Sequence, residues 1–185
     1  MFIMTEETPN PAVVKFLPGQ TVIDRGVAEF KTKEEGTRSL LAQRLFDLDG
    51  VESVFYGKDF ISVTKGDAAD WEALKPRVLA TVMEHFTTGQ PLFHGGVVDE
   101  PAQDIEEDEI SAQIRELIET RVRPMVAQDG GDIIFNRFED GIAYLEMRGA
   151  CAGCPSSTMT LKAGIENMLK HYVPEVQEVR PVEQY

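Results

Sequence analysis

The sequence predicts an α+β protein with two small domains, each an antiparallel β-hairpin or sheet packed by two helices. Strand patterns paired around short turns occur twice, at 51–65 and at 133–148. Each pair is flanked by segments whose apolar residues recur at helical spacing. A run of seven acidic residues without a basic one, at 99–109, separates the two sets. We therefore expect domains at 1–98 and 110–185, joined by a solvated acidic linker.

The first domain is predicted to contain two short strands, a helix, a hairpin and a second helix. In chain order these elements occupy 13–16, 27–30, 38–48, 51–65 and a segment that begins near Asp70. The last helix has five apolar residues at helical spacing, namely Trp71, Leu74, Val78, Val82 and Phe86. Pro76 lies inside that pattern, so the helix is either kinked or starts later than Asp70.

The second domain is predicted to run helix, hairpin, cysteine loop, helix and a final edge strand. Its segments are, in order, 110–122, 133–148, 149–155, 161–172 and 176–179. Asp140-Gly141 between the hairpin strands is a strong signal for a two-residue turn. Pro124 is expected to interrupt the first helix, and the DGGD sequence at 129–132 is expected to form a turn.

The composition excludes several classes of function. The chain has 185 residues, with Lys+Arg 18 and Asp+Glu 32, and a formal net charge of −14. Neutralising phosphates needs clustered cations, so neither nucleic acid nor an anionic membrane surface is an expected partner. The longest apolar runs fall far short of the about 20 residues of a membrane span. The first residues resemble neither a secretory signal nor a transit peptide, so we expect a cytosolic protein or one whose leader has been removed.

The only two cysteines, Cys151 and Cys154, lie in the loop GACAGCP between a predicted strand and a predicted helix. Soft thiolates are the preferred ligands of iron–sulfur clusters and zinc. Gly149 and Gly153 permit close backbone approaches, and Pro155 suits a first helical turn. The spacing alone leaves three interpretations open: redox thiols, a metal site, or neither. Redox thiols of the thioredoxin type follow a βαβ pattern, whereas this loop follows an antiparallel hairpin.

The chain supplies half of the ligands that such a metal centre needs. A structural zinc or a [4Fe–4S] cluster usually takes about four ligands, and cysteine is the usual one for the cluster. His85, His94 and His171 show no ligand spacing with the loop and are expected at the surface or at helix ends. A two-fold dimer with one cysteine pair from each copy supplies four thiolates. The segment 148–172 carries a net charge of +2, as expected around thiolates, and a cluster exposed between subunits should be labile.

The residues around the loop carry a resemblance to a known family. VRPMVAQDGGDIIF (122–135) and GACAGCPSSTMTLKAGIENMLKHYVPEV (149–176) resemble the NifU C-terminal, or Nfu-type, domain. TPNPAVVKFLPG (8–19) resembles the N-terminal domain that accompanies it in Nfu proteins, so the resemblance covers nearly the whole chain. It implies an iron–sulfur cluster carrier in which Cys151 and Cys154 bind one [4Fe–4S] cluster per dimer and pass it to apo-proteins.

The resemblance also implies partners and a place of action. The partners would be apo iron–sulfur proteins and upstream cluster donors, with residues 1–98 as a partner-recognition module and a homodimer as the loaded form. The cysteine-bearing scaffold and ferredoxin-like domains of longer NifU proteins are not in this sequence, which favours a late carrier. We find no phosphate-binding loop and no nucleophile triad, so we expect no enzymatic activity. A bacterial cytoplasmic protein is expected, with the mitochondrial matrix an option only after removal of a leader.

Other residues near the loop have both structural and functional interpretations. The turn Asp129, Gly130, Gly131 and Asp132 either shapes the backbone or borders the cluster site. Ser156, Ser157 and Thr158 either cap the helix or donate hydrogen bonds to cluster sulfurs. Met159 and Met168 are expected in the core. Two further functions use the same cysteine pair, a thiol–disulfide oxidoreductase and a structural zinc dimer.

Overall fold

The structure, a computed structural model, describes residues 2–24, 26–94, 108–152 and 155–182, the side chains at 155–158 excepted. The chain divides into two units, Met1–Pro101 and Ala102–Tyr185. Each unit combines β-strands, antiparallel in all but one pairing, with helices, so the α+β prediction is confirmed. No helix within the described ranges is long and apolar enough to cross a membrane.

The first unit is a five-stranded antiparallel sheet with helices on one face. Its elements are β1 (Met4–Glu7), β2 (Val13–Leu17), β3 (Ala28–Phe30), α1 (Lys33–Gly36), α2 (Leu40–Phe46), β4 (Val51–Tyr56), β5 (Ile61–Lys65) and α3 (Trp71–Thr87). The strand order is β1-β2-β5-β4-β3. Alternate residues of the strands form the core with α2 and α3, and the largest buried side chains include Phe16, Phe30, Leu41, Leu45, Tyr56 and Ile61.

The sequence predicted most of these elements and missed two. The hairpin of β4 and β5 and the helices α2 and α3 lie where they were expected. β1 was missed because it is an edge strand with mostly exposed residues, so its sequence shows no alternation of apolar and polar side chains. α1 was missed because it is a single helical turn.

Pro76 neither ends nor delays α3. The helix begins at Trp71, directly after its N-cap Asp70, whose carboxylate accepts a hydrogen bond from the N–H of Glu72 at 3.0 Å. The nitrogen of Pro76 cannot donate to the carbonyl of Glu72. Both residues are exposed, so water can bind that carbonyl, and the helix continues to Thr87.

His85 was predicted at the surface or at a helix end; it lies at a helix end and is buried. It lies in the last turn of α3 and is 1% exposed. Its Nδ1 has no hydrogen-bond partner among the described residues. Burial, together with the nearby Arg44 cation, lowers the pKa of this imidazole below its ordinary value. The folded first unit therefore favours neutral His85.

We expect acid to destabilise the first unit through His85. The unfolded chain takes up the proton near pH 6.5, whereas the folded chain takes it up only at lower pH. The free energy of unfolding therefore falls as the pH drops below about 6.5, and above that pH this group adds no pH dependence. Urea unfolding followed by the fluorescence of Trp71, the only tryptophan, measures this unit at neutral and at mildly acidic pH. A His85→Leu variant should lose this part of the pH dependence; an unchanged dependence would contradict the assignment.

The second unit is a three-stranded sheet with helices on one face. Its elements are α4 (Glu109–Leu117), a π-helical turn (Ile118–Val122), α5 (Arg123–Gln128), β6 (Gly131–Glu139), β7 (Ile142–Gly149), α6 (Pro155–Tyr172) and β8 (Glu178–Pro181). β6 and β7 pair antiparallel, and β8 adds to β7 in parallel. The core contains Ile114, Ile118, Val122, Val126, Ile133, Leu145, Ile165, Leu169 and Val179.

Two boundaries differ from the prediction. Pro124 was expected to interrupt the first helix, but the chain stays helical through the π turn, where the N–H of Arg123 donates to the carbonyl of Ile118. The wider turn carries the helix past the proline, which lacks an N–H. The predicted turn at 129–132 is shorter than expected, because Gly131 and Asp132 already pair within β6.

The acidic segment 99–109 lies outside the described residues as far as Glu107. Asp108 is the N-cap of α4, and its carboxylate accepts a hydrogen bond from the N–H of Ser111 at 2.7 Å. Glu109 is the first residue of that helix, where the helix dipole favours a negative charge. The end of the acidic run therefore serves to start a helix.

Candidate metal centre

The two cysteines lie on the connection between β7 and α6. β7 ends at Gly149 and α6 begins at Pro155; Cys151 occupies a turn between them, and Cys154 lies outside the described residues. The N–H of Ala152 donates to the carbonyl of Gly149 at 3.1 Å and closes this turn. Gly149 has a φ of 63°, which a glycine adopts without the strain that a side chain would cause.

Cys151 is nearly buried, and Gly131 provides the space for it. The cysteine is 6% exposed and belongs to the core of the second unit. A Cβ placed on Gly131 would lie 2.5 Å from Cys151 Sγ, 2.8 Å from Cys151 N and 2.9 Å from the carbonyl oxygen of Arg148. Gly131 pairs directly with Gly149 across the hairpin. The start of β6 therefore forms the wall against which the cysteine turn packs.

A cluster exposed between two subunits stays a prediction, and in the single chain Cys151 is nearly buried. A thiol without iron behaves as a small apolar group, and it is stabilised when it packs against the backbone of Gly131. The sequence shows a strand ending and a helix beginning, which predicts a loop but not the direction of its side chains. The burial of Cys151 arises from the hairpin pairing, a contact between residues about 20 positions apart.

A buried ion pair anchors the start of β6 beside the cysteine turn. Arg123 donates two hydrogen bonds to Asp132, from Nε to Oδ1 at 2.9 Å and from Nη2 to Oδ2 at 2.8 Å. The Asp132 side chain is 5% exposed and that of Arg123 31%. The paired, planar geometry is the strong form of this interaction. It ties the first residue of α5 to the residue that follows Gly131.

We expect an Asp132→Asn variant to destabilise the second unit by about 1–3 kcal/mol, because Arg123 would lose its charged partner while half-buried. Hydrogen exchange of the β6 amides measures this unit directly. The matched control is Glu139→Gln on the same strand, which removes an exposed partner of Arg137 and should change stability by less than about 0.5 kcal/mol. Equal effects of the two substitutions would show that the buried pair anchors nothing.

The positive charge counted around the loop is mostly paired. Arg148 Nε contacts Glu146 at 2.9 Å, and both side chains are 18% exposed. Lys170 contacts Glu166 at 2.7 Å. Together with the N–H of Val179, the Lys170 ammonium lowers the pKa of the Glu166 carboxyl. The net charge of +2 counted over residues 148–172 therefore overstates the unpaired positive charge near the thiols. Glu146, which pairs with Arg148, lies just outside that segment.

The other predicted residues do not complete a metal site in the described part of the chain. Within it, no three His, Cys, Asp or Glu side chains lie close enough to hold a metal ion. His85 and His94 belong to the first unit, and His171 is exposed on α6. Asp129 follows α5 as its C-cap. The side chains of Ser156, Ser157 and Thr158 lie outside the described residues.

The two methionines of α6 differ from each other. Met168 packs against the core as predicted. Met159 is 78% exposed, so its predicted burial is wrong. At 100° per residue it lies about 200° around the helix from Leu161, on the side opposite the apolar face. The helical period therefore contained the signal for its exposure.

Sequence reasoning missed the residues that support Cys151. The sequence did not predict the close contact between Gly131 and Cys151, and it did not predict the ion pair between Arg123 and Asp132. The only local signal was the pair of glycines at the start of a strand, a place where glycine marks a close backbone approach.

Two family models match the chain. The model described as "Scaffold protein Nfu/NifU N terminal" matches residues 3–89, and the "NifU-like domain" matches 114–180. The resemblance found in the sequence is therefore confirmed in both units.

Relatives of known name match nearly the whole chain. The human "NFU1 iron-sulfur cluster scaffold homolog, mitochondrial" is 49% identical over 183 residues, which cover 98% of this chain and 72% of the relative. "NifU-like protein 5, mitochondrial" from Arabidopsis thaliana is also 49% identical, over 97% of this chain and 67% of its own length. A solution structure of a NifU-like protein from Saccharomyces cerevisiae matches 51% of this chain and 86% of its own, with 28% identity and a TM-score of 0.46.

The expectation of a bacterial cytoplasmic protein is wrong. The relatives at 49% identity carry mitochondrial names. The composition of folded domains does not record a compartment, because targeting is read from separate segments.

Proposed function

The chain belongs to the Nfu/NifU family of scaffold proteins, and on that premise we propose that it carries a [4Fe–4S] cluster and transfers it to apo-proteins. The cluster is cargo, bound between two copies of the chain by Cys151 and Cys154 of each. One observation carries the proposal: the whole chain has two cysteines, and both lie in one connection between a strand and a helix. Thiolates are the ligands that such clusters prefer.

Ligand number supports the dimer. A cubane cluster takes about four thiolates, and one chain offers two. No group of further ligands exists among the described residues to make up the difference. A second copy related by a two-fold axis supplies the same pair again. Loading with iron and sulfide should therefore drive dimerisation.

Loading requires a local opening of the cysteine turn. Cys151 Sγ packs against Gly131 and is almost inaccessible, so iron can reach it only when residues 150–152 move. Residues 150–152 lie outside β7 and α6, and their backbone hydrogen bonds include Ala152 N–H to Gly149 at 3.1 Å and Ala150 N–H to Gly130 at 3.3 Å. Opening of this turn therefore leaves the pairing of β6 with β7 in place. The apolar burial of Cys151 then favours the cluster-free state, which suits a carrier that releases its cargo.

Transfer follows as thiolate exchange. Two acceptor thiols each lose a proton and bind iron as thiolates, while Cys151 and Cys154 of one copy leave the same iron atoms and each takes up a proton. The same exchange at the second copy, with two further acceptor thiols, completes the transfer. The cluster keeps its oxidation state, and no external oxidant or reductant is needed. The relative affinity and exposure of the two cysteine sets decide the direction.

The two units then have different tasks. Residues 110–185 bind the cluster, residues 99–109 connect the units, and residues 1–98 recognise donor and acceptor proteins. The protein is not an enzyme in this scheme, because its cargo leaves unchanged.

Of the two alternatives, the oxidoreductase agrees less well with the geometry. A redox nucleophile needs an accessible thiolate, and Cys151 is nearly buried. A zinc dimer would use the same four thiolates but would contain no sulfide.

Metal and sulfide analysis of anaerobically reconstituted protein tests the proposal. We expect about four irons and four sulfides per dimer, with the Mössbauer spectrum of a cubane cluster. Stoichiometric zinc without sulfide would favour the structural zinc dimer. Brisk disulfide reduction by the metal-free protein, suppressed by iron, would favour the oxidoreductase.

A further inference from the structure

A basic groove crosses the three-stranded sheet of the second unit, and we propose that it binds an extended acidic segment of a partner protein. Its lining includes Arg137, Tyr144, Lys162, Glu178 and Arg180, and its volume is about 560 Å³. Among the described residues Cys151 does not line it, and the inference does not rest on the proposed cluster site.

Strand register brings the groove residues into one row. Arg137 of β6 pairs with Tyr144 of β7, which pairs with Arg180 of β8. Residues directly opposed on neighbouring strands point to the same face of a sheet. Their neighbours along β7 and β8 are buried on the helix-covered face: Ala143, Leu145 and Val179. The row therefore lies on the outer face.

Lys162 completes the groove from a separate element. It belongs to α6, which is held along β8 because Glu166 accepts a hydrogen bond from the N–H of Val179 at 3.2 Å. The pKa values of the Glu166 and Glu178 carboxyls are lowered mainly by their hydrogen bonds to Lys170 and Arg180, and the nearby Lys162 ammonium adds to both shifts. Lys162 forms no ion pair with any described residue, so its ammonium is available to a ligand.

The groove has more cations than its carboxylate neutralises. Arg180 holds Glu178 through two hydrogen bonds at 2.9 and 3.0 Å. The guanidinium of Arg137 lies 4.0 Å from the centre of the Tyr144 ring, which keeps the side chain extended across the groove. Its contact with Glu139 is exposed and long, at 3.3 Å. Arg137 also donates to Asn136 Oδ1 at 3.2 Å, another exposed contact. Three cations and one carboxylate line the groove of a chain whose net charge is −14, a local excess that favours an anionic ligand.

The dimensions favour a peptide over a single small anion. Two strand spacings separate Arg137 from Arg180, so their Cα atoms lie about 10 Å apart. Carboxylates three residues apart in an extended polyproline II segment lie on the same side of the chain and are separated by about 9 Å. The volume is within the range of roughly 300–1,000 Å³ of sites that hold ligands much larger than phosphate.

A labelled peptide with glutamate at every third position tests this groove by fluorescence anisotropy at low ionic strength, with the full-length metal-free protein. We expect the wild type to bind it and to ignore the same peptide with glutamine. The double variant R137Q/K162Q should bind about tenfold more weakly, the loss of two exposed ion pairs. Lys170→Gln, which removes one positive charge from α6 outside the groove, should stay within about twofold.

Three outcomes would overturn the inference. The first is a wild type that does not bind the glutamate peptide, and the second is equal binding by all variants. The third is displacement of the peptide by inorganic phosphate at equal concentration, which would make the groove a small-anion site. Circular dichroism of the double variant checks that its fold is intact, and a Lys162→Glu variant, which reverses one exposed charge, gives a second measure of the same contact. Loss of peptide binding leaves cluster loading untouched, so this test and that of the cluster site fail independently.

Discussion

Replacing either Cys151 or Cys154 by serine is expected to abolish cluster loading and the iron-dependent shift from monomer to dimer. A cubane held by two chains needs about four thiolates, and each substitution removes two of them from the dimer at once. A serine hydroxyl does not replace a thiolate as a ligand for iron, because it is hard and protonated at neutral pH. Iron and sulfide counts after reconstitution, together with the molecular mass in solution, measure both losses.

The control for Cys151 separates ligand loss from misfolding. A serine at this position puts a hydroxyl into a nearly buried site, which destabilises the turn. Cys151→Ala leaves an apolar side chain there and should keep the fold, as read by circular dichroism, while it still loses the cluster. Normal iron binding by folded cysteine variants would disprove the assignment of these residues.

Gly131→Ala is expected to have the largest effect of any substitution that leaves the cysteines in place. The added methyl group would meet Cys151 Sγ at 2.5 Å and two backbone atoms at 2.8 and 2.9 Å. The carbonyl oxygen belongs to Arg148, which is paired in the hairpin, so it cannot move without disturbing that pairing. Cys151 lies in the turn beyond β7, and the added methyl group would push this turn away from Gly131. We expect a loss of about 1–3 kcal/mol in the stability of the second unit, with impaired cluster loading because the turn carrying Cys151 is displaced.

Gly164→Ala is the matched control for that prediction. Gly164 lies within α6, and no atom lies within 4 Å of a Cβ placed on it. Alanine there should stabilise the helix by up to about 1 kcal/mol and leave loading unchanged. Thermal unfolding and hydrogen exchange of β6 compare the two variants. If Gly131→Ala were as stable as Gly164→Ala and loaded fully, the close contact would have no role.

Local signals account for the parts of the fold that the sequence predicted. Asp140 and Gly141 have φ values of 51° and 77°, the left-handed pair that a tight hairpin turn requires, and this dipeptide is the usual one for it. The apolar stripe of α6 predicts its buried side, where Ile165 and Leu169 are fully enclosed. Such patterns depend on residues a few positions apart, which a single sequence displays.

The exposure of His85 and Met159 was judged from residue type, although their helical spacing was the better guide. His85 was expected at the surface or at a helix end, and Met159 was expected in the core. His85 lies 3, 7 and 11 positions after Val82, Val78 and Leu74, which are all buried. Helical spacing therefore placed it on the apolar face, but its polarity favoured the surface. Met159 was assigned to the core as an apolar residue although it lies opposite the apolar stripe. In both cases periodicity was the better guide.

The support of the candidate site could not be derived from the sequence. The contact of Gly131 with Cys151 and the pair of Arg123 with Asp132 both depend on how β6 pairs and how α5 enters it. The register of strand pairing brings together residues that are far apart along the chain. No local sequence pattern predicts that the Cys151 side chain, just after β7, packs into the core. The two cysteines were enough to predict a metal site from the sequence. The contacts that position Cys151 could be found only in the folded structure.

Native mass spectrometry of the anaerobically loaded 185-residue chain is the most direct test of the central claim. That claim is that one chain supplies half of the thiolate ligands of the cluster. We predict a species whose mass equals two chains plus one cluster of about four irons and four sulfides, with no loaded single chain. An intact cubane cluster on a single chain, in the absence of any external thiol, would contradict the account.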